Sequence, residues 1–169
     1  EAYYDAHKKE FENPERVKAR HILVAVKADA TPEQKEAARK KAEELLAKAK
    51  AGGDFAKLAQ ENSDDPGSKA KGGDLGFFTQ GSMVGKFEEA AFALKPGELS
   101  DVVETEFGYH IIKLEERKAA EQQPYESVKE QVKARATQSI QQERLNAFLE
   151  KSMKDAKVTF YGPEPPKEQ

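Results

Sequence analysis

The sequence contains no cysteine among its 169 residues. This absence excludes structural disulfides, cysteine-based zinc sites and thiol nucleophiles, and it is compatible with any compartment. No stretch approaches the roughly 18 apolar residues that a membrane-spanning helix needs, and no signal peptide is visible. An excess of basic residues is missing too, because the formal net charge is −3 at pH 7. A nucleic-acid-binding scaffold normally has a basic surface, so the composition argues against nucleic acid as a partner.

Apolar residues are also scarce. They make up 37% of the chain and charged residues 35%, against about 45–50% and 25% in an average globular protein. This composition predicts one modest core with long solvated helices. Hydrolase motifs such as a Gly-x-Ser-x-Gly elbow or a zincin helix are absent. Because the chain begins at Glu1 and not at methionine, we expect a processed form or an excised fragment, and an upstream signal or membrane anchor stays open.

Three regions differ in their residue pattern. Residues 1–15 carry apolar side chains at helical spacing, and this pattern ends at Asn13-Pro14. It predicts an N-terminal helix. Residues 16–118 hold nearly all the glycine and mix strand-like with helical stretches. Residues 119–169 contain a long helical pattern and a tail. The sequence therefore predicts one central domain with a helical extension on each side.

The central region is predicted to run strand, two helices, strand, helix and two strands. The predicted ranges are strand 17–26, a helix after Pro32, helix 54–62, loop 63–73, strand 75–78, a helix around 87–94, and strands 101–103 and 109–114. Thr31, Pro32 and Gln34 form a capping-box pattern at the start of the first helix. This order is typical of an α+β fold that ends in an antiparallel hairpin turning at Phe107-Gly108.

The last region repeats apolar residues along one helical stripe. Its members are Val128, Val132, Ala136, Ile140, Leu145, Phe148, Leu149 and Met153. The spacing predicts an amphipathic helix over about residues 125–154, and a stripe of this kind needs a packing partner. A second copy that exchanges the helix, the N-terminal segment and an unfolded polypeptide stay open as partners, with fraying as the alternative. Residues 158–161 are predicted to form a short strand and residues 162–169 to be disordered.

Two of the three histidines, His21 and His110, each open an apolar run. If their strands are neighbours, the two side chains meet on the inner face of the sheet, although a lone histidine there is more commonly a hydrogen-bonded core residue. A metal site needs a third ligand, for which Asp65 is the candidate, but the spacing matches no zinc signature. The glycine-rich stretch 71–76 lacks the Gly-Lys-Ser/Thr ending of a phosphate-binding loop. Neither a metal nor a nucleotide is predicted.

Five linked motifs follow one another in the second half of the central region. They are Gly72-Gly73-Asp74-Leu75-Gly76-Phe77-Phe78, Gly81-Ser82-Met83, Phe87-Glu88-Glu89-Ala90-Ala91-Phe92-Ala93-Leu94, Pro96-Gly97-Glu98-Leu99-Ser100 and Thr105-Glu106-Phe107-Gly108-Tyr109-His110-Ile111-Ile112. In order and spacing they closely resemble the parvulin family of prolyl isomerases, and the similarity extends over about residues 17–116. The resemblance implies an α+β fold with a four-stranded antiparallel sheet wrapped by helices, no cofactor, and cis/trans isomerisation of peptide bonds that precede proline.

The same resemblance implies site residues. His21 and His110 would be the paired histidines beneath the active site, with Thr105 as a hydrogen-bonding partner. Asp65 falls where parvulins have a cysteine or an aspartate, and its role would be electrostatic. The residues implied to bind the substrate proline are Leu75, Phe78, Met83, Phe87 and Phe107. For the first four, ordinary core packing is the alternative.

The flanks narrow the resemblance. The run Tyr3-Tyr4-Asp5-Ala6-His7-Lys8-Lys9-Glu10-Phe11 and the helix from Tyr125 onward resemble bacterial extracytoplasmic foldases of the PpiC, PpiD, SurA and PrsA type. This implies chaperone-lobe helices at both ends, an extracytoplasmic location, and unfolded or partly folded polypeptides with X-Pro bonds as partners. The segment 27–31 lacks the basic cluster of phospho-specific parvulins. The alternative function is a peptide-binding chaperone with little or no isomerase turnover.

Overall fold

The computed structural model describes residues 1–156. The chain divides into a central unit, Asn13–Glu121, and a terminal unit formed by Glu1–Glu12 together with the chain from Gln122 onward. The strand predicted at 158–161 and the disorder predicted at 162–169 lie outside the described residues. Among the helices of residues 1–156, none has both the length and the apolar character that crossing a membrane requires.

Eleven helices and strands follow one another along residues 1–156. They are α1 (Ala2–Ala6), β1 (Glu12–Asn13), β2 (Arg16–Ala25), α2 (Pro32–Lys50), α3 (Phe55–Asn62), β3 (Asp74–Thr79), α4 (Gly85–Ala93), β4 (Val103–Thr105), β5 (Gly108–Lys118), β6 (Glu121–Gln122) and α5 (Tyr125–Asp155). Short 3₁₀ turns occupy Lys8–Phe11 and Lys69–Lys71. β1 and β6 form a separate two-stranded sheet.

The central unit is built on a four-stranded antiparallel sheet with the order β3-β2-β5-β4. Its long middle strands, β2 and β5, pair so that His21 lies opposite Ile112 and Leu23 lies opposite His110. Side chains two residues apart on a strand share a face, so both histidines project from the same side. The expected α+β fold with an antiparallel sheet is confirmed.

Two apolar clusters cover the two faces of this sheet. Ile22 and Ile111, both fully buried, pack with α2 and α3 on one face. Ala19 and Ile112 pack with Phe87 and its neighbours on α4 on the other face. Each of the buried isoleucines contributes roughly 1.5–3 kcal/mol. The sheet thus carries the histidines on the α4 face, beside an apolar layer.

Helix α2 begins where the sequence predicts. The Thr31 hydroxyl accepts the Gln34 backbone N–H at 3.3 Å, and the Gln34 side chain accepts the Thr31 N–H at 2.9 Å. The two bonds form the expected capping box, with Pro32 at the first helical position. The helix therefore starts at a defined residue and aligns its buried stripe with the sheet.

The last strand pair starts two residues later than the pattern 101–103 predicts. Before β4, Ser100 pairs irregularly with Ile112 of β5. The Ser100 N–H donates to the Ile112 carbonyl at 2.8 Å, but the Ile112 N–H is accepted by the Ser100 hydroxyl at 3.0 Å and not by a backbone carbonyl. Regular pairing with β5 begins only at Val103, opposite His110. The prediction of a strand at 101–103 is therefore wrong in its bounds, because the Ser100 hydroxyl takes the place of a backbone acceptor and the regular strand covers Val103–Thr105.

The terminal unit has a small core of its own. Tyr4 and Phe11 pack against Val128 and Val132 of α5. The predicted N-terminal helix over residues 1–15 is interrupted, because α1 ends at Ala6 and a 3₁₀ turn follows. At the break the His7 ring stacks on Tyr3 with 4.0 Å between ring centroids, and its Nδ1 lies 2.8 Å from the Tyr3 carbonyl oxygen. This side chain engages the backbone of the preceding turn at the residue where regular helix stops.

Helix α5 matches the predicted long helix, but only its first part is buried. Val128 is 1% exposed and Val132 is 3% exposed. The later members of the stripe are all largely exposed, namely Ile140, Leu145, Phe148, Leu149 and Met153. The N-terminal segment thus covers the beginning of the stripe, and no part of residues 1–156 buries the rest.

Candidate active site

A buried histidine pair lies on the sheet face that α4 covers. His21 is 6% exposed and His110 is 4% exposed. Their rings stack with 17° between the ring planes, and their Nδ1 atoms are 3.3 Å apart. Adjacent strands in antiparallel register bring them together, which is the arrangement expected for neighbouring β2 and β5.

Hydrogen bonds extend from both ends of the pair. His21 Nε2 lies 2.8 Å from Asp65 Oδ2, and His110 Nε2 lies 2.8 Å from the Thr105 hydroxyl. An ionised carboxylate only accepts, so His21 carries a proton on Nε2, and with that ring neutral its Nδ1 accepts from His110 Nδ1–H. His110 Nε2 then accepts the Thr105 O–H. We assign these tautomers from the hydrogen-bond partners. Along the series from Thr105 through His110 and His21, every donor then points towards Asp65.

Asp65 is the anionic end of this series of hydrogen bonds. Its burial alone would raise the pKa, but hydrogen bonds from the Ser68 hydroxyl, from His21 and from the Gly67 backbone N–H outweigh burial and hold the pKa at about 2. The carboxylate is therefore ionised at neutral pH. The ring nitrogens that face Asp65 and Thr105 are engaged in hydrogen bonds, and residues 1–156 contain no group of three or more His, Cys, Asp or Glu arranged for a metal ion.

His110 is held neutral. Burial lowers its pKa most, the neighbouring His21 lowers it as well and Asp65 raises it in part, so that the pKa lies at about 4. At pH 7 this imidazole therefore carries no charge. It accepts from Thr105 and donates to His21 as a fixed dipole.

We expect the free energy of unfolding to fall as the pH drops from 6.5 to 4. The His110 pKa of about 4 lies below the ordinary 6.5, so in this window only the unfolded state binds the proton. The contribution of neutral His110 to the free energy of unfolding is fully present above pH 6.5. Below that pH it decreases by at most ~1.4 kcal/mol per pH unit. Urea unfolding at pH 7, 5.5 and 4.5 measures the slope. His110→Asn should flatten it and His7→Asn should not, and an unchanged slope in His110→Asn would contradict this origin.

An apolar cavity of about 240 Å³ opens beside the histidines. It is lined by His21, Leu75, Ser82, Met83, Val84, Phe87, Phe107 and His110. Phe87 stands edge-on to both imidazoles, with its ring centroid 5.6 Å from that of His21 and 5.3 Å from that of His110. Strand β3, the loop before α4, α4 itself and the β4–β5 turn each supply part of the wall. A concave apolar site with a few convergent polar groups is the usual form of a ligand pocket.

Phe78 does not line this cavity. It is 6% exposed and belongs to the core beneath α4, with its ring centroid 6.4 Å from Phe87 and 6.0 Å from Phe92. The strand register places it opposite Val17, away from the histidines. This position favours the core interpretation of Phe78 over the expected place in the proline pocket. Phe107 is 52% exposed at the rim of the cavity.

Two serines of the site were not singled out from the sequence. Ser68 is 2% exposed, lies 2.9 Å from His21 Nε2 through its hydroxyl and donates to Asp65. Ser63 is fully buried and accepts the backbone N–H of Leu23 at 3.1 Å. The run Asp65-Pro66-Gly67-Ser68 carried a usable signal, because aspartate before Pro-Gly commonly forms a side-chain-to-backbone turn that fixes the residues after it.

The antiparallel sheet, the buried histidine pair and the apolar cavity together have the architecture of a parvulin-like domain. The profile of the PPIC-type PPIase domain family matches residues 5–118. The chain is 42% identical over 144 residues to foldase protein PrsA of Geobacillus sp. (strain WCH70), covering 85% of this chain and 47% of the relative. It spans about half the length of the curated relatives it matches.

Solved structures agree with this similarity. One of them comes from a study of two SurA-like chaperones of Campylobacter jejuni, PEB4 and the periplasmic protein Cj1289. It matches with a TM-score of 0.64 and 36% identity, covering 94% of this chain and 61% of that one. A PpiC-type peptidyl-prolyl cis-trans isomerase domain has a TM-score of 0.57 and 28% identity, covering 64% of this chain and 94% of that one. The chain belongs to the PPIC-type PPIase domain family, and the family resemblance is confirmed.

Proposed function

We propose that this chain catalyses the cis/trans isomerisation of peptide bonds that precede proline in other polypeptides. The observation that carries the proposal is the apolar cavity against the buried histidine pair, in which His110 is held neutral. A protease-free isomerisation assay on an Ala-Pro peptide tests it. The exchange rate should rise in proportion to the protein concentration, and a rate that stays at its uncatalysed value at every concentration would refute the activity.

The chemistry asks for no nucleophile and no cofactor. Amide resonance sets a rotation barrier of about 18–20 kcal/mol, so an X-Pro bond exchanges in tens to hundreds of seconds unaided. In the twisted transition state the C–N bond is nearly single and the amide is less polar. A desolvated site stabilises this twisted form relative to the planar, polar ground state, while apolar contact with the proline ring holds the substrate in both states.

Each site residue has a proposed role in this scheme. Met83, Phe87, Leu75 and the rim residue Phe107 hold the proline ring by apolar contact. The charge of Asp65 disfavours the partial negative charge that resonance places on the substrate carbonyl oxygen. It also gives the chain of hydrogen bonds its direction, so that His21, His110 and Thr105 fix the local polarity without moving protons.

We further propose that residues 16–118 form the isomerase domain and that residues 1–15 and 119–169 supply helices of a chaperone lobe. The partners would be unfolded or partly folded polypeptides that contain X-Pro bonds. Like the periplasmic protein Cj1289, the chain would work outside the bacterial cytoplasm. The second candidate function is a chaperone that binds peptides with little turnover, and the exposed stripe of α5 favours it.

We predict that catalysis does not depend on phosphate. The segment Lys27-Ala28-Asp29-Ala30-Thr31 after β2 contains one lysine and one acid, so it offers no cationic cluster to pair with a phosphate dianion. In the isomerisation assay, a phosphoserine-proline peptide should react no faster than the serine or the glutamate peptide. A large preference for the phosphorylated peptide would overturn this prediction.

We also propose that two copies associate by exchanging their α5 helices. Five large apolar residues of α5 are about half exposed or more, from Ile140 at 49% to Phe148 at 65%, and helix exchange would bury them at low cost. Sedimentation of the full chain should give a dimer at high concentration, and a chain that ends at Lys118 should stay monomeric. If both remain monomeric throughout, helix exchange is wrong.

A further inference from the structure

The side chain of Glu88 binds the backbone of the loop between β3 and α4. Its Oε2 accepts the N–H groups of three successive residues, Gly81 at 2.8 Å, Ser82 at 3.2 Å and Met83 at 3.2 Å. Its Oε1 also accepts from Gly81 at 2.9 Å. A carboxylate that receives several backbone N–H groups forms charge-assisted hydrogen bonds, which are the stronger kind.

These bonds connect two walls of the apolar cavity. Met83 lies on the loop and lines the cavity from one side, whereas Phe87 lies on α4, directly before Glu88, and lines it from another. The loop has no regular pairing to hold it, since β3 ends at Thr79 and α4 begins at Gly85. The Glu88 carboxylate is thus the group that ties the Met83 segment to the helix that carries Phe87.

The electrostatic state of Glu88 agrees with this arrangement. The backbone N–H of Gly81 is the largest influence and lowers the pKa of the carboxyl below its ordinary value, with those of Met83 and Ser82 adding to it against partial burial. The side chain is therefore ionised at neutral pH and accepts all three bonds.

We propose that Glu88 is a positioning residue for the isomerase activity, which holds Met83 at its distance from Phe87 and so sets the width of the proline pocket. The inference rests on the proposed isomerase function. Contact with the proline ring is made in the planar and in the twisted state of the substrate alike, so loss of the pocket wall acts mainly on KM and leaves kcat close to its original value.

The test compares three variants of the full chain. Glu88→Ala removes the acceptor, whereas Glu88→Gln keeps one oxygen for the loop N–H groups and removes the charge. Glu89→Ala is the matched control, because Glu89 is its exposed neighbour on the same helix. We expect Glu88→Ala to raise KM about tenfold, Glu88→Gln to restore most of the loss, and Glu89→Ala to behave as the wild type.

Two further readouts separate positioning from general stability. Amide hydrogen exchange at Ser82 and Met83 should accelerate in Glu88→Ala while exchange in the central strands stays unchanged. If Glu88→Ala keeps the wild-type KM, or if it lowers kcat with KM unchanged, the positioning role is wrong although the wild type is active. If Glu88→Gln is as impaired as Glu88→Ala, the charge and not the loop contact matters, which also overturns it. An inactive wild type would instead refute the proposed function.

Discussion

Replacing Gly73 with alanine is expected to lower the free energy of unfolding by about 2–5 kcal/mol and to abolish most activity. Gly73 has a φ of +77°, and a Cβ on it would lie 2.2 Å from the His21 carbonyl oxygen. The Gly73 carbonyl also accepts the His21 N–H at 2.9 Å. The missing side chain thus lets two backbone segments touch at the residue that carries the site histidine.

Gly76→Ala is the matched control for this variant. Gly76 has a φ of +68°, but a Cβ there would meet nothing within 4 Å. Its replacement should cost only the left-handed backbone penalty of about 1–2 kcal/mol. Urea unfolding at pH 7, followed by the activity of the folded protein, measures both. Equal losses in the two variants would show that close approach to His21 contributes nothing.

Replacing Phe87 with alanine should impair both stability and activity, whereas Met83→Ala should impair mainly activity. Phe87 is 3% exposed and Met83 is half-buried at the cavity. Removal of a buried phenylalanine side chain costs about 3–5 kcal/mol. We expect each variant to lose at least tenfold in kcat/KM per folded molecule, because each removes one wall of the pocket.

Phe78→Ala provides the control for Phe87→Ala. Both phenylalanines are buried in the same cluster, so the two truncations should destabilise the central unit by similar amounts. Only Phe87 lines the cavity, and the Phe78 variant should therefore keep its activity per folded molecule. Thermal melts recorded beside the isomerisation assay separate the two effects. Loss of stability in Phe87→Ala with unchanged activity per folded molecule would remove Phe87 from the pocket.

Much of the central unit follows from local patterns in the sequence. The apolar runs after His21 and His110 predict two strands, and their pairing is enough to bring the two imidazoles together. The Thr31 capping box predicts the start of α2 to the residue, because a helix N-terminus is specified by side chains within a few positions. Linked motifs of the family add the candidate pocket residues, most of which the structure brings around one cavity.

Other features depend on contacts that no local pattern contains. The shift of β4 arises because the Ser100 hydroxyl takes the place of a backbone acceptor for Ile112, a residue distant in sequence. Phe78 and Phe87 look alike as apolar positions, but the register of β3 on β2 places Phe78 opposite Val17, whereas α4 places Phe87 at the cavity. The partner of the exposed α5 stripe lies beyond any periodicity argument, since periodicity predicts an apolar face but not what covers it.

The most direct test of the central claim is exchange NMR on an Ala-Pro peptide in the presence of the protein. This measurement reports binding through peptide chemical shifts and catalysis through the cis/trans exchange rate. If the chain is an isomerase, catalytic amounts of the protein accelerate exchange in both directions and leave the cis/trans ratio unchanged, and Met83→Ala loses most of this acceleration. Peptide binding at the pocket with exchange at the uncatalysed rate would contradict the isomerase and leave a peptide-binding chaperone.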